Sequence, residues 1–247
     1  MNSMFYKSAL IILVSAILSA CQQGVDKRPI QLNYMEYEEY VQPYPTRVIV
    51  TQDFVRFDDG VEGGDFILFD RKENIIYSVN HGEQTVMSIS SKDTDIQPPM
   101  KLEVTTVKVS ELKDAPEING KKPVHHQIKV NNNNCYDVVA VKDMMPDVID
   151  AYLAFTRILE SDSRVTFNNI PADMHNECDM ALNTFNAGAQ YAFGFPIHEK
   201  SFNGKGRDLV NFTRDFELKE EWLKLPESYR VYSVQDLREG KVQLSPQ

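Results

Sequence analysis

The sequence predicts an α+β domain in which an antiparallel β-meander precedes two helices. Three observations carry that expectation. Short apolar runs rich in β-branched and aromatic residues follow one another from Ile30, a composition that suits a pleated, half-buried surface. The gaps between them carry turn chemistry, namely Asp58-Asp59-Gly60 with Gly63-Gly64, then 70–74, His81-Gly82 and 131–134. Successive strands should therefore pair as hairpins. Beyond Pro146 the apolar pattern changes from strand alternation to helical spacing.

Strands are expected at 30–40, 46–57, 65–69, 75–80, 85–90, 101–109, 124–130 and 136–141. Phe66-Ile67-Leu68-Phe69 is apolar on both faces, so this strand calls for cover on both sides. A helix over 147–160 follows a first-turn proline and carries Val148, Ile149, Tyr152, Leu153, Phe155 and Leu159 as a stripe. A second helix over 172–187 sets Met174, Cys178, Ala181, Leu182 and Phe185 on one face. The chain then continues through an extended segment at 190–199, a Gly-rich tip at 203–206 and strands at 209–218 and 230–234. Residues 30–236 thus form a single domain and 237–247 a flexible tail.

Residues 1–20 hold one cation, Lys7, followed by an uncharged stretch at 8–20. That stretch is too short for a bilayer core of about 30 Å and has the form of a signal peptide. Leu18-Ser19-Ala20-Cys21 resembles the lipobox of bacterial lipoproteins. The resemblance implies cleavage before Cys21, lipidation of its thiolate, and a polar tether at 21–29 holding the domain at a membrane. Two or three acyl chains, at about 0.8 kcal/mol per buried methylene, make such an anchor permanent. Gln22, standing where Asp would direct retention, implies the outer membrane, facing the periplasm. With Cys21 lipidated, Cys135 and Cys178 remain as an even pair in an oxidising compartment. A disulfide between them is expected; the alternative is two buried thiols.

The formal charge of −10 disfavours a nucleic-acid partner. Hydrophobic content of 42%, with 13 Phe and 11 Tyr, suffices for an ordinary core and gives no excess for a large apolar cavity. His125, His126, His175, Glu177 and His198 make the only candidate metal set, but adjacent strand residues point to opposite faces and no H-E-x-x-H occurs. No G-x-S-x-G is present, and Gly204-Lys205-Gly206 lacks P-loop spacing. No catalytic residue, metal or cofactor is therefore expected. Tyr34, Tyr37, Tyr40 and Tyr44 admit two readings: a sticky surface beside the membrane, or a strand whose tyrosines pack on the sheet with hydroxyls outward.

Residues 70–79, Gly194-Phe195-Pro196-Ile197, the 203–206 tip and Leu225-Pro226-Glu227-Ser228-Tyr229 resemble uncharacterised bacterial envelope domains with a lipoprotein-carrier-like fold. The resemblance implies a strongly curved antiparallel sheet, an incomplete barrel, wrapped around two or more helices. It also implies a non-enzymatic envelope protein that binds an apolar ligand, such as a lipid, or another envelope component through that sheet. A structural or assembly accessory and a cell-envelope hydrolase are the alternatives. With ordinary apolar content the helix should fill most of the concavity, leaving at best a small pocket among Tyr152, Phe155, Phe185, Tyr191 and Phe193.

Overall fold

The computed structural model describes residues 26–92 and 94–242; residues 1–25, with Cys21 and the signal segment, and 243–247 lie outside the described residues. Among the described residues one open sheet of twelve strands forms: β1 (Ile30–Tyr37), β2 (Tyr44–Val50), β3 (Phe54–Asp58), β4 (Phe66–Asp70), β5 (Ile75–Asn80), β6 (Thr85–Ser90), β7 (Val104–Glu111), β8 (Val124–Val130), β9 (Asn133–Val141), β10 (Phe195–Ser201), β11 (Gly206–Thr213) and β12 (Arg230–Ser233). Their spatial order is β12-β6-β5-β4-β3-β2-β1-β11-β10-β9-β8-β7. All neighbours are antiparallel except β12, which lies parallel to β6, so the sheet is mixed and not the purely antiparallel one expected. The chain reaches β12 only after 214–229 has recrossed from the middle of the sheet to its edge, and it arrives running with β6.

Local chemistry explains the strand boundaries. The single strand expected over 46–57 is two strands, because Thr51 closes a tight turn: its amide donates to the Phe54 carbonyl at 2.8 Å and its hydroxyl receives the Phe54 amide at 2.8 Å. Between β8 and β9 the turn needs only Asn131 (φ 48) and Asn132 (φ 72), left-handed positions that Asn tolerates in a two-residue hairpin. Strand β9 therefore starts at Asn133, earlier than expected.

Helix α1 (Pro146–Phe167) begins at the proline and runs past the expected end at 160. Its last turns carry no apolar stripe and are held by partners that periodicity does not reveal. Arg164 Nε donates to the Thr184 carbonyl at 2.8 Å, Ser161 exchanges hydrogen bonds with the Lys92 backbone, and Phe167 packs against Phe185. Val148, Ala151, Tyr152 and Ile158 are buried in one core with Ile30, Leu32, Val48, Val55, Phe69 and Ile76, so α1 covers one face of β1–β5. Among the described residues no helix is long and apolar enough to cross a membrane.

The second helix is not continuous. A 3-10 turn at Ala172–Met174, a single turn α2 (Glu177–Asp179) and a π turn at Met180–Phe185 replace it. Asn176 causes the break: its side chain accepts the Cys178 and Asp179 amides and restarts the winding. Cys178, held there, is disulfide-bonded to Cys135 on β9 with the Cα atoms 5.2 Å apart, and both half-cystines are buried with Val130 and Ala181. The expected extended segment at 190–199 begins as another 3-10 turn, Ala189–Phe193, and becomes strand only after Gly194. Gly194 has φ 117, and a Cβ there would sit 2.4 Å from the Val141 carbonyl oxygen. The tail expected from 237 holds the end of a short helix, α3 (Val234–Arg238), closed by a capping box between Ser233 and Asp236.

Strand β4 is covered on both faces. Phe69 faces the α1 core, whereas Phe66 and Leu68 pack with Val79, Val86 and the returning segment at Leu223, Leu225 and Tyr229. An ionic clasp fixes that segment. Asp58 receives Arg47 Nε at 2.8 Å and Arg56 Nε at 2.5 Å, Arg56 Nη1 donates to the Trp222 carbonyl at 2.8 Å, and the Arg47 guanidinium lies 4.5 Å from the Trp222 ring centroid. Burial would raise the Asp58 pKa, but the two guanidinium groups hold its carboxyl below the usual carboxylate range. A depressed folded-state pKa contributes stability that is present above the unfolded pKa and lost as pH falls through the folded value. Asp58→Asn should therefore lower stability at neutral pH by about 3 kcal/mol, because two largely buried cations lose their counter-ion. Urea denaturation at several pH values checks this, and the difference between variant and wild type should shrink in acid.

Candidate functional site

Three adjacent strands place a row of charges on one face of the sheet. Glu199 on β10 lies opposite Arg207 on β11, and Arg207 lies opposite Glu36 on β1. Directly opposed residues share a face, so the three side chains stand side by side. Glu199 is 2% exposed. Arg207 Nε donates to Glu199 Oε2 at 2.5 Å and the Tyr136 hydroxyl donates to Oε1 at 3.0 Å. Arg207 Nη2 donates to the Tyr191 hydroxyl at 3.4 Å, and its guanidinium lies 4.8 Å from the Tyr34 ring centroid and 5.3 Å from that of Tyr152. The Tyr34 and Tyr152 hydroxyls meet at 3.2 Å.

This arrangement replaces water around a buried ion pair with tyrosine hydroxyls and ring faces. Burial pushes the phenols of Tyr34, Tyr136, Tyr152 and Tyr191 up. Burial would lower the Arg207 pKa, but Glu199 and the surrounding hydroxyls hold it well above the usual value. Arg207 stays charged and the phenols stay neutral.

Above the pair opens a cleft of about 320 Å³. Glu36 and Glu38 form one wall, Leu182, Asn183 and Gln190 the other, and Phe202 with Asn203 the lip at the β10–β11 turn. Close approach of the backbones builds the turn side: a Cβ at Gly206 would lie 2.4 Å from the Glu199 carbonyl oxygen. Lys205 Nζ is 3.7 Å from Glu38 Oε2, and Glu38 Oε1 receives the Tyr44 hydroxyl at 2.6 Å. Glu36 Oε1 receives the Thr46 hydroxyl at 3.1 Å. The disulfide stands in the wall through Cys178.

The sequence-predicted residues scatter around this cleft. Tyr152 and Tyr191 come together, ring centroids 5.8 Å apart, but inside the core and around Arg207. Phe155 packs on Phe57 at 4.8 Å, Phe185 on Phe167 at 5.2 Å, and Phe193 stacks on His126 at 4.2 Å. These five side chains therefore do not converge on one apolar pocket. The candidate metal set is dispersed too. His125 Nε2 is 2.8 Å from Asp137, His175 stacks on Phe167, His198 Nδ1 is 2.5 Å from Asp208, and Glu177 receives Asn131 and Asn133. Among the described residues no group of three or more His, Cys, Asp or Glu side chains converges as a metal site. Of the tyrosines on and after β1, Tyr34 is buried with its hydroxyl inward, Tyr37 donates to Asp208 at 2.7 Å, and Tyr40 is 97% exposed.

Glu36, Glu199, Arg207 and Tyr136 escaped the sequence reading, although one signal was present. Ile30, Leu32 and Tyr34 define the inward face of β1, and the same alternation puts Glu36 on it.

No protein-family model matches the chain, and no curated protein does. Among solved structures it is similar to an uncharacterized conserved protein from Thermus thermophilus, at 9% identity and a TM-score of 0.44, covering 85% of this chain and 93% of that one. It is also similar to PNGF-II, at 11% identity and a TM-score of 0.40, and to MucB, at 8% identity and a TM-score of 0.38. The matches cover 87% and 84% of this chain but only 32% of PNGF-II and 61% of MucB. Likenesses this distant carry no argument about what the chain does.

Burial holds the Glu36 carboxyl above the usual carboxylate range even with Arg207 and the Thr46 hydroxyl beside it. A raised folded-state pKa penalises the fold at neutral pH, and the penalty vanishes once pH is low enough to protonate the group in both states. Glu36→Gln should therefore raise Tm at neutral pH and leave it unchanged near about pH 3. Differential scanning calorimetry at the two pH values checks this, and a fall in Tm at neutral pH would contradict it.

Proposed function

We propose that the protein is a lipid-anchored, non-enzymatic component of the bacterial envelope, tethered through Cys21 to the outer membrane and facing the periplasm. In this reading its polar cleft, and no acyl-chain cavity, receives another envelope component. One observation carries the choice between the two: the stripe of α1, with Val148, Ala151 and Tyr152 buried, already occupies the apolar face of β1–β5. An acyl chain would have to displace it. The sheet in this reading curves around α1 as an incomplete barrel, supported by a single core that joins α1 to β1–β5 and also to Val141 of β9 and Phe195 of β10.

The non-enzymatic reading rests on how the charged groups are used. Glu199 has one oxygen on Arg207 and the other on Tyr136, so this carboxylate is not free to act as a general base. The surrounding phenols are shifted away from neutral pH, which makes them poor nucleophiles. The anchor is supported by the Leu18-Ser19-Ala20-Cys21 sequence, and the intact disulfide is consistent with an oxidising compartment.

Two measurements test the reading. Metabolic labelling with a palmitate analogue should mark the wild type and fail on Cys21→Ser; label retained on the variant would overturn the anchor. Titration of the purified protein with a fluorescent fatty acid should show no saturable binding. Saturable binding at micromolar concentration would instead make the protein a lipid carrier.

A further inference from the structure

We infer that the cleft over Glu199 and Arg207 binds a neutral saccharide, an inference that rests on the reading of this cleft as the binding site. The argument starts from which polar atoms are left with spare capacity. The Gln190 side chain lines the cleft and makes no hydrogen bond with any described residue, so its amide keeps both donor and acceptor capacity. Asn183 donates to Asp179 and keeps its carbonyl oxygen; Asn203 accepts from Ser201 and Lys205 and keeps its amide hydrogens. Glu36 has Oε1 on Thr46 and keeps Oε2. The cleft therefore offers donors and acceptors side by side.

Charge narrows the ligand further. Lys205 and Arg207 stand against Glu36, Glu38 and Glu199, and Lys205 and Arg207 are each turned to a carboxylate already. A strong anion would face the glutamates, and an acyl chain would leave the spare polar atoms of Asn183, Asn203 and Glu36 without partners. Sugar hydroxyls both donate and accept, which matches the mixed amides and the free Glu36 oxygen. Apolar surface is present in the right amount and place: Phe202, 42% exposed, stands at the lip and Leu182 on the wall, so a sugar ring can lay its C–H face on them. A few placed polar groups with one aromatic contact are the usual build of an orienting small-ligand site.

The test uses the full lipidated chain in a detergent without a sugar headgroup, titrated calorimetrically with maltotriose, mannotriose and N-acetylchitotriose, and separately with spermidine. At least one trisaccharide should bind saturably. Gln190→Ala and Phe202→Ala should each weaken that binding by about tenfold with Tm unchanged, whereas Val210→Ala, an exposed change on β11 outside the cleft, should not. Three results overturn the proposal: no trisaccharide binds, binding survives both cleft substitutions, or spermidine binds in their place. Spermidine binding that the cleft variants weaken would overturn the saccharide while keeping the cleft as the site. Silence toward every probe would count against the cleft reading as well.

Discussion

The Glu199–Arg207 ion pair constrains everything around it. A charge pair taken out of water is stable only if hydrogen bonds and polarizable surface replace the lost hydration, and this fold assembles that replacement from distant parts of the chain. Tyr34 comes from β1, Tyr136 from β9, Tyr152 from α1 and Tyr191 from the turn before β10. Each can reach the pair only if β1 lies beside β11, β9 beside β10, and α1 over the sheet. The pair thus ties the N-terminal meander to the C-terminal hairpin, and Tyr136, Glu199 and Arg207 line the cleft.

Two further devices keep the cleft walls in place. The Cys135–Cys178 disulfide joins β9 to an irregular segment whose π and 3-10 turns would otherwise have little regular hydrogen bonding to hold them. On the far face the Arg47–Asp58–Arg56 clasp fixes the returning chain against β3 and β4. Helix α1 packs its buried stripe on β1–β5.

Much of this was legible in the sequence wherever structure follows from local periodicity. The meander, the bounds of β5, β6 and β8, the start of α1 and the double cover of β4 are set by alternation, turn residues and a first-turn proline. The pairing of Cys135 with Cys178 follows from counting thiols once Cys21 is set aside. What stayed hidden depends on partners far away in sequence. The last turns of α1 exist because Arg164 and Phe167 find Thr184 and Phe185; the second helix breaks because Asn176 caps it and Cys178 must meet β9. The pocket expected among Tyr152, Phe155, Phe185, Tyr191 and Phe193 was drawn from apolar character alone, and two of those side chains surround a charge instead. A buried Glu–Arg pair has no sequence signature beyond an acidic residue at an inward position, as Glu36 on β1 illustrates.

A double-mutant cycle on Glu199→Gln and Arg207→Met tests most directly whether this pair organises the fold. Each single change leaves a buried charge without its partner and should cost about 3–5 kcal/mol in urea denaturation, whereas the double variant should recover a large part of that loss. Costs that simply add, or single variants as stable as the wild type, would show that the pair is incidental and that the core around α1 holds the two halves together without it.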